Sequence, residues 1–470
     1  MLRILLSFFT LTILLTSSAI AQNITGDWYG KIDAPGNPIR INFHVTEDNG
    51  TYKTTMDSPD QNAFGIPTDT TSFENNELIV KVSAANVEYK GTLKDDVVTG
   101  TFSQNNYPIA LNLSRTEVKK EELVVPMRPQ DPKEPYNYIS EDVTFTNAKA
   151  ESIKLAGTLT LPKGVKNPPV AILITGSGAQ DRNSEIKAVN HRPFLVLSDY
   201  LTNNGIAVLR YDDRGVAESE GTQQGATSAD FATDVEAAVG YLKTRTDIDT
   251  NKIGLIGHSE GGFIAPMVAS KDKSIAFIVL LAGTGVDGST ISQGQTRLIL
   301  EQAGLSETYV NLHDKLTIDL HKIIKENYFE NLIKAKLIAH LENYRQDNDN
   351  ELSRSLTDEA ILQYDQLGSN WEAYFIRTNP DDFLSQVSCP VLALNGSKDI
   401  QILPKLNLDG IKKSLEKANN KDVTIKELEG LNHLFQKAET GSLQEYGQID
   451  ETINPVALEL ISNWILERFK

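Results

Sequence analysis

Residues 257–261, Gly-His-Ser-Glu-Gly, form a G-x-S-x-G, a spacing suited to a nucleophilic serine. The apolar run Lys-Ile-Gly-Leu-Ile-Gly before Ser259 reads as a strand, and Gly262–Ala269 after it reads as a helix. A serine that attacks carbonyl carbon must project from a tight, strained turn. Gly257 and Gly261 lack a Cβ, so strand and helix can pass close on either side of Ser259. The helix start offers free N–H groups and a positive dipole end to a developing oxyanion. A surface turn with a chance serine is the bland reading, and the flanking strand and helix argue against it.

Such a serine needs a base, and the base needs an acid to orient it. Behind an elbow of this kind the partners follow in the order acid, then histidine. The seven histidines are 44, 191, 258, 313, 321, 340 and 433, and only His433 follows the last candidate acid. It lies in Gly430-Leu431-Asn432-His433, just past the apolar run Val423–Leu428. Asp399, in Asn395-Gly396-Ser397-Lys398-Asp399, follows the strand Val391–Leu394 and is placed to accept the His433 Nδ1–H. Asp287 is the second choice of acid, and Asp409, inside a helix, the third. Nothing calls for a metal or cofactor. There is no H-E-x-x-H, and Gly176-Ser177-Gly178 lacks the third glycine and downstream acid of a dinucleotide loop.

The elements that must position these residues alternate in type. The pattern predicts an antiparallel pair, Val143–Phe145 and Ile153–Leu161, then strand Val170–Thr175, helix Pro193–Asn203, strand Ala207–Arg210 and helix Ala229–Thr244. Strand Ile253–Ile256, the elbow helix and strand Ala276–Leu281 follow. Strand Val391–Leu394, helix Asn407–Ala418, strand Val423–Leu428 and helix Pro455–Phe469 close the chain. That βαβ order means an α/β fold with a mostly parallel sheet covered on both faces. Residues from about 288 to 383 break the rhythm with charged helical periods, as expected of an inserted helical cap.

Ahead of this lies a different pattern. Residues 22–115 carry short alternating runs, at Asp27–Ile32, Ile39–Val45, Tyr52–Met56, Leu78–Val82, Val87–Leu93, Val97–Phe102 and Ile109–Leu113. They predict a small all-β barrel or sandwich, read as a spacer or support. Gly26-Asp27-Trp28 is similar to the G-x-W that opens lipocalin-like barrels. Residues 116–138, with Pro126, Pro129, Pro132 and Pro135, read as a stiff linker. Residues 1–21 have the form of an export signal: Arg3, the apolar stretch Ile4–Leu15, and Ala19-Ile20-Ala21 for cleavage, so the mature chain is expected to start at Gln22 in the periplasm or outside the cell. No other stretch reaches transmembrane length. Cys389 is the single cysteine, so no intramolecular disulfide can form, and its apolar setting predicts an inert thiol. A net charge of −18 over 470 residues argues against nucleic acid or anionic membrane as partner.

The sequence resembles the α/β-hydrolase superfamily over roughly residues 140–470, and within it the bacterial exported serine esterases of the S33-like branch. The likeness rests on ITGSGAQDRN (174–183), HRPFLVLSDYLTNNGIAVLRYDDRGVAES (191–219), GHSEGG (257–262), PVLALNGSKD (390–399) and LNHLF (431–435). It implies an oxyanion hole from the backbone N–H groups of Ser177 and Glu260. Many relatives carry His-Gly where this chain has Thr175-Gly176, which makes Gly178 the alternative first donor. The Glu260 side chain is expected to point away from the oxyanion, stabilised at the helix N-terminus. Asp181, Arg182, Asp212, Asp213 and Arg214 are expected to pair and fix loop shape, with Arg182 also a possible substrate contact. The implied activity is hydrolysis of small carboxylic esters of short to medium acyl chain through an acyl-enzyme. A serine peptidase or thioesterase uses the same residues, and a non-catalytic glycan- or lipid-binding protein is the reading from another class.

Overall fold

The computed structural model describes residues 23–469, apart from 33–37, 62, 84–86, 105–106, 120–125 and 349. The expected export signal therefore lies outside the described residues. The chain divides into two compact units, residues 1–122 and 123–470.

The first unit is all antiparallel. Its strands are β1 (Gly26–Ile32), β2 (Ile39–Asp48), β3 (Thr51–Ser58), β4 (Ala63–Pro67), β5 (Thr70–Glu74), β6 (Glu77–Val82), β7 (Val87–Lys94), β8 (Val97–Gln104) and β9 (Tyr107–Ser114). They form one nine-stranded sheet in the order β4-β3-β2-β1-β9-β8-β7-β6-β5. The end strands β4 and β5 are consecutive in sequence and separated only by Thr68 and Asp69, so the sheet must curl until its two edges meet. Alternate residues fill the interior, led by Trp28, Phe43, Leu78 and Tyr89. The Trp28 indole donates to the Ile24 carbonyl at 2.7 Å, and the Arg115 guanidinium lies 3.7 Å above its ring. The short alternating runs anticipate seven of these strands. They miss β4 and β5, whose half-exposed residues show no clean alternation of buried and exposed positions.

The second unit holds an eight-stranded sheet. Its strands are β10 (Tyr138–Asn147), β11 (Ile153–Pro162), β12 (Val170–Ile174), β13 (Ala207–Tyr211), β14 (Ile253–His258), β15 (Phe277–Leu281), β16 (Val391–Gly396) and β17 (Val423–Leu428). The order is β10-β11-β13-β12-β14-β15-β16-β17. β10, β11 and β13 pair antiparallel, and every later pair is parallel. β12, β13 and β15 are buried along their whole length, which is why they read as continuous apolar runs.

Helices cover both faces. α1 (Pro193–Asn203) and α2 (Ser228–Leu242) come first, then the elbow helix α3 (Glu260–Lys271). Next come α4 (Gly288–Gln302), α5 (Glu307–Glu326), α6 (Glu330–Asp347), α7 (Glu351–Leu367), α8 (Asn370–Arg377) and α9 (Asp381–Leu384), inserted between β15 and β16. α10 (Pro404–Lys417) and α11 (Pro455–Phe469) complete the set. One apolar cluster includes α2, α3 and α10 residues and another includes α1 and α11 residues, one on each face of the sheet. Helices α5 to α8 bury a cluster of their own around Leu320, Ile324, Leu337 and Leu341. This arrangement, an antiparallel opening, a parallel doubly wound sheet and a helical cap, is the α/β-hydrolase fold. Among the described residues no helix is long and apolar enough to cross a membrane.

Part of the stretch expected as a stiff linker is strapped to this second unit. The Arg128 guanidinium donates to the Val189 carbonyl at 3.0 Å. Gln130 bonds the backbone of Thr452 and Ile453 through both ends of its amide, at 2.6 Å each. Cys389 is a free thiol that burial pushes up to about 11, so it stays protonated and unreactive at neutral pH.

Candidate active site

The expected residues gather at the C-terminal ends of neighbouring parallel strands. Ser259 follows β14, Asp399 follows β16, His433 follows β17, and the loop Thr175-Gly176-Ser177 follows β12. Ser259 has φ 54° and ψ −115°, a strained left-handed backbone for a residue with a side chain. Two features hold it there. Its N–H donates to the Leu281 carbonyl and its own carbonyl accepts from Gly262, both at 2.9 Å. Closeness explains the glycine before it: a Cβ on Gly257 would sit 2.0 Å from the Gly261 carbonyl oxygen.

The acid and histidine loops also approach closely. A Cβ on Gly396 would lie 2.1 Å from the Leu431 carbonyl oxygen, and the Lys398 N–H donates to that carbonyl at 2.9 Å. This brings His433 Nδ1 to 2.8 Å from Asp399 Oδ2. The other carboxylate oxygen, Oδ1, accepts the backbone N–H groups of Gln401 at 2.8 Å and Ile402 at 2.9 Å. Asp399 is 3% exposed and His433 4%, so this pair is shielded from water. Asp287, the second candidate acid, is instead the N-cap of α4, accepting from Thr290 Oγ1 at 2.8 Å. Asp409 sits within α10.

Ser259 and His433 line one pocket of about 560 Å³, together with Ser177, Gln180, Gln401 and Tyr446. Among the described residues, the backbone N–H groups of Ser177 and Glu260 are not spent on hydrogen bonds. Beneath the Ser177 loop lies Asp213. It accepts from Thr175 Oγ1 at 2.7 Å and from the Gln180 N–H at 3.1 Å. Burial pushes this carboxyl up to about 7, against the pull of those two hydrogen bonds.

Residues 133–408 match the model of the family described as X-Pro dipeptidyl-peptidase (S15 family). That span is more than half of the chain. The chain belongs to the S15 peptidase family. Esterase EstD of Thermotoga maritima is 24% identical over 340 residues, covering 71% of this chain and 69% of that protein. Thiohydrolase aneE of Aspergillus aculeatus is 29% identical over 144 residues, 30% of this chain and 42% of its own length. Among solved structures, the alpha/beta hydrolase GrgF from Penicillium sp. sh18 aligns with a TM-score of 0.43 at 17% identity, covering 70% of this chain and 99% of that one. That alignment is too loose to add to the fold seen directly. The chain is a hydrolase of carboxylesterase-like kind.

Three side chains of this S15 protein have contacts that bear on the site, and Arg182 pairs with Asp212 as expected. Arg182, expected as a possible substrate contact, does not line the pocket. Its guanidinium donates to Asp212 Oδ2 and Glu218 Oε2, both at 2.6 Å, and to Thr158 Oγ1 at 3.1 Å. The Glu260 side chain lies in the interior: the residue is 5% exposed, and its Oε1 accepts from Ser228 Oγ at 2.6 Å and Trp371 Nε1 at 2.8 Å. His258, the first of the two variable residues of the G-x-S-x-G, has a part the sequence did not reveal. Its Nε2 lies 2.9 Å from the His433 carbonyl, and the two rings are 4.7 Å apart. Burial, aided by His433, drives its pKa down to about 3, so the ring is neutral and Nε2–H donates. Only its place beside Ser259 could have hinted that it steadies the His433 loop.

Proposed function

We propose that this serine hydrolase cleaves carboxylic esters of short to medium acyl chain, with Ser259 as nucleophile, His433 as general base and Asp399 as its orienting acid. The observation that carries the reading is the strained Ser259 opening onto the same pocket as a His433 held at 2.8 Å by a buried Asp399. His433 Nε2 takes the Ser259 proton as Oγ attacks the acyl carbon. The oxyanion accepts the N–H groups of Ser177 and Glu260. The alkoxide leaves with the proton from His433, forming an acyl-enzyme. Water, deprotonated by His433, then attacks the acyl carbon and releases the acid and free Ser259. A pocket of about 560 Å³ supports a small-molecule substrate.

Esters are favoured because an alkoxide departs more readily than an amine, so positioning and the oxyanion hole suffice. Likeness to Esterase EstD over 71% of the chain supports this choice. The peptidase reading is kept by the S15 family, whose description names X-Pro dipeptidyl-peptidase. The two readings separate on kcat/KM for p-nitrophenyl butyrate against X-Pro p-nitroanilides. A preference for the anilides overturns the ester reading. Export, and placement in the exported S33-like esterase branch, belong to the same proposal, supported by the signal-like residues 1–21 and the GHSEGG and LNHLF motifs. Amino-terminal sequencing of the mature protein should begin at Gln22, and an intact Met1 would count against export.

A further inference from the structure

We infer that Glu260 is a positioning residue: its carboxyl latches cap helix α8 to the nucleophile elbow and thereby holds its own backbone N–H at the oxyanion. The inference rests on the ester-hydrolase reading above and adds to it a fixed mechanical link between cap and catalytic turn.

The oxyanion needs only the Glu260 N–H, so any residue other than proline would meet that need at position 260. A carboxyl turned inward there costs desolvation unless it is bonded. Both bonds it receives come from other elements, and both fall on Oε1. Ser228 Oγ donates at 2.6 Å and Trp371 Nε1 at 2.8 Å. Ser228 is the first residue of α2, where a capping box between Thr227 and Asp230 fixes the helix start. Trp371 belongs to α8, a cap helix more than a hundred residues away in sequence.

Aromatic contacts continue the link. Trp371 stacks on Phe375 with centroids 5.5 Å apart and planes at 10°. Phe375 in turn meets Phe263 of α3 edge-on at 6.0 Å. At its other end, α8 is tied into the cap by Arg377, which donates to the Ile324 carbonyl of α5 at 2.6 Å. Thus the first turn of α3, which carries the proposed oxyanion donor next to Ser259, is bonded through one carboxyl to a helix that the rest of the cap holds. Burial raises the Glu260 pKa, against the pull of the hydrogen bonds from Ser228 and Trp371.

The test uses the full mature chain and p-nitrophenyl butyrate, with Glu260→Ala, Glu260→Gln, Trp371→Phe and Ser259→Ala. Glu260→Ala should lower kcat about tenfold to hundredfold, the scale of a misplaced catalytic group, with KM changed less than about threefold. Glu260→Gln keeps an oxygen for both donors and should recover most of the loss. Trp371→Phe removes one donor while keeping the ring stack, and should lower kcat about three- to tenfold. It keeps the test decisive if Glu260→Ala fails to fold. The latch is overturned if Glu260→Ala and Trp371→Phe both keep kcat within twofold of the parent, if Glu260→Gln is as slow as Glu260→Ala, or if only KM moves. Activity surviving in folded Ser259→Ala would instead remove the underlying reading.

Discussion

Replacing Asp399 by asparagine should disable His433 by holding the wrong tautomer, and the hydrogen bonds say which way the amide turns. Oδ1 of Asp399 faces two backbone donors, Gln401 N–H at 2.8 Å and Ile402 N–H at 2.9 Å, while Oδ2 faces only His433 Nδ1 at 2.8 Å. An asparagine that kept its oxygen toward His433 would aim its NH2 at two buried N–H groups. Leaving those unsatisfied costs about 1–3 kcal/mol each, so about 2–6 kcal/mol in all. The amide therefore keeps its oxygen on the backbone pair and presents NH2 to His433. Nδ1 must then accept, the ring proton moves to Nε2, and Nε2 can no longer take the Ser259 proton. The expected fall in kcat is about 10⁴-fold, equivalent to about 5.5 kcal/mol of transition-state stabilisation. The assay is kcat on p-nitrophenyl butyrate at pH 8, with circular dichroism and a melting curve to show an intact fold. A folded Asp399→Asn protein within about tenfold of the parent would refute the tautomer argument.

Three further outcomes are expected. Asp213, pushed up by burial to about 7 from an ordinary 3.8, binds its proton more tightly in the folded state. Its contribution is therefore fully present below about pH 4 and is lost as pH rises toward 7, by up to about 4 kcal/mol. Denaturant midpoints of the parent relative to Asp213→Asn should fall across that window, and a constant difference would refute the shift. Arg182→Ala should cost about 3–5 kcal/mol, because it strands the fully buried Asp212 carboxylate, while KM for a neutral ester stays unchanged. A raised KM without lost stability would restore Arg182 as a substrate contact. A chain starting at residue 123 should fold and hydrolyse esters, whereas one starting near 134 should melt lower, since it loses the Arg128 and Gln130 straps. Equal melting temperatures would show the straps to be dispensable.

The parallel sheet was legible because strands buried on both faces must be apolar throughout, and the elbow because glycines are forced where strand and helix pass within van der Waals contact. Ser259, Asp399 and His433 could be ordered along the chain for the same reason: each follows a recognisable strand. What could not be read lies in contacts between distant residues. Nothing local to Glu260 announces Trp371, which meets it from the cap. That Arg182 would pair among the loop charges was legible, but Glu218 as a further partner shows only once β12 and β13 lie side by side. His258 passed as filler in a motif, because the carbonyl it bonds is 175 residues downstream. β4 and β5 were missed since AFGIP and TTSFE bury too little to show a period.

The central claim is that Ser259 is the activated nucleophile, and covalent labelling tests it most directly. The purified protein is treated with a fluorophosphonate, digested, and the modified peptide mapped by mass spectrometry. One adduct per chain on Ser259, lost in His433→Ala and accompanied by full loss of esterase activity, is the predicted result. An adduct on another residue, or unimpaired ester hydrolysis with Ser259 fully modified, would contradict it.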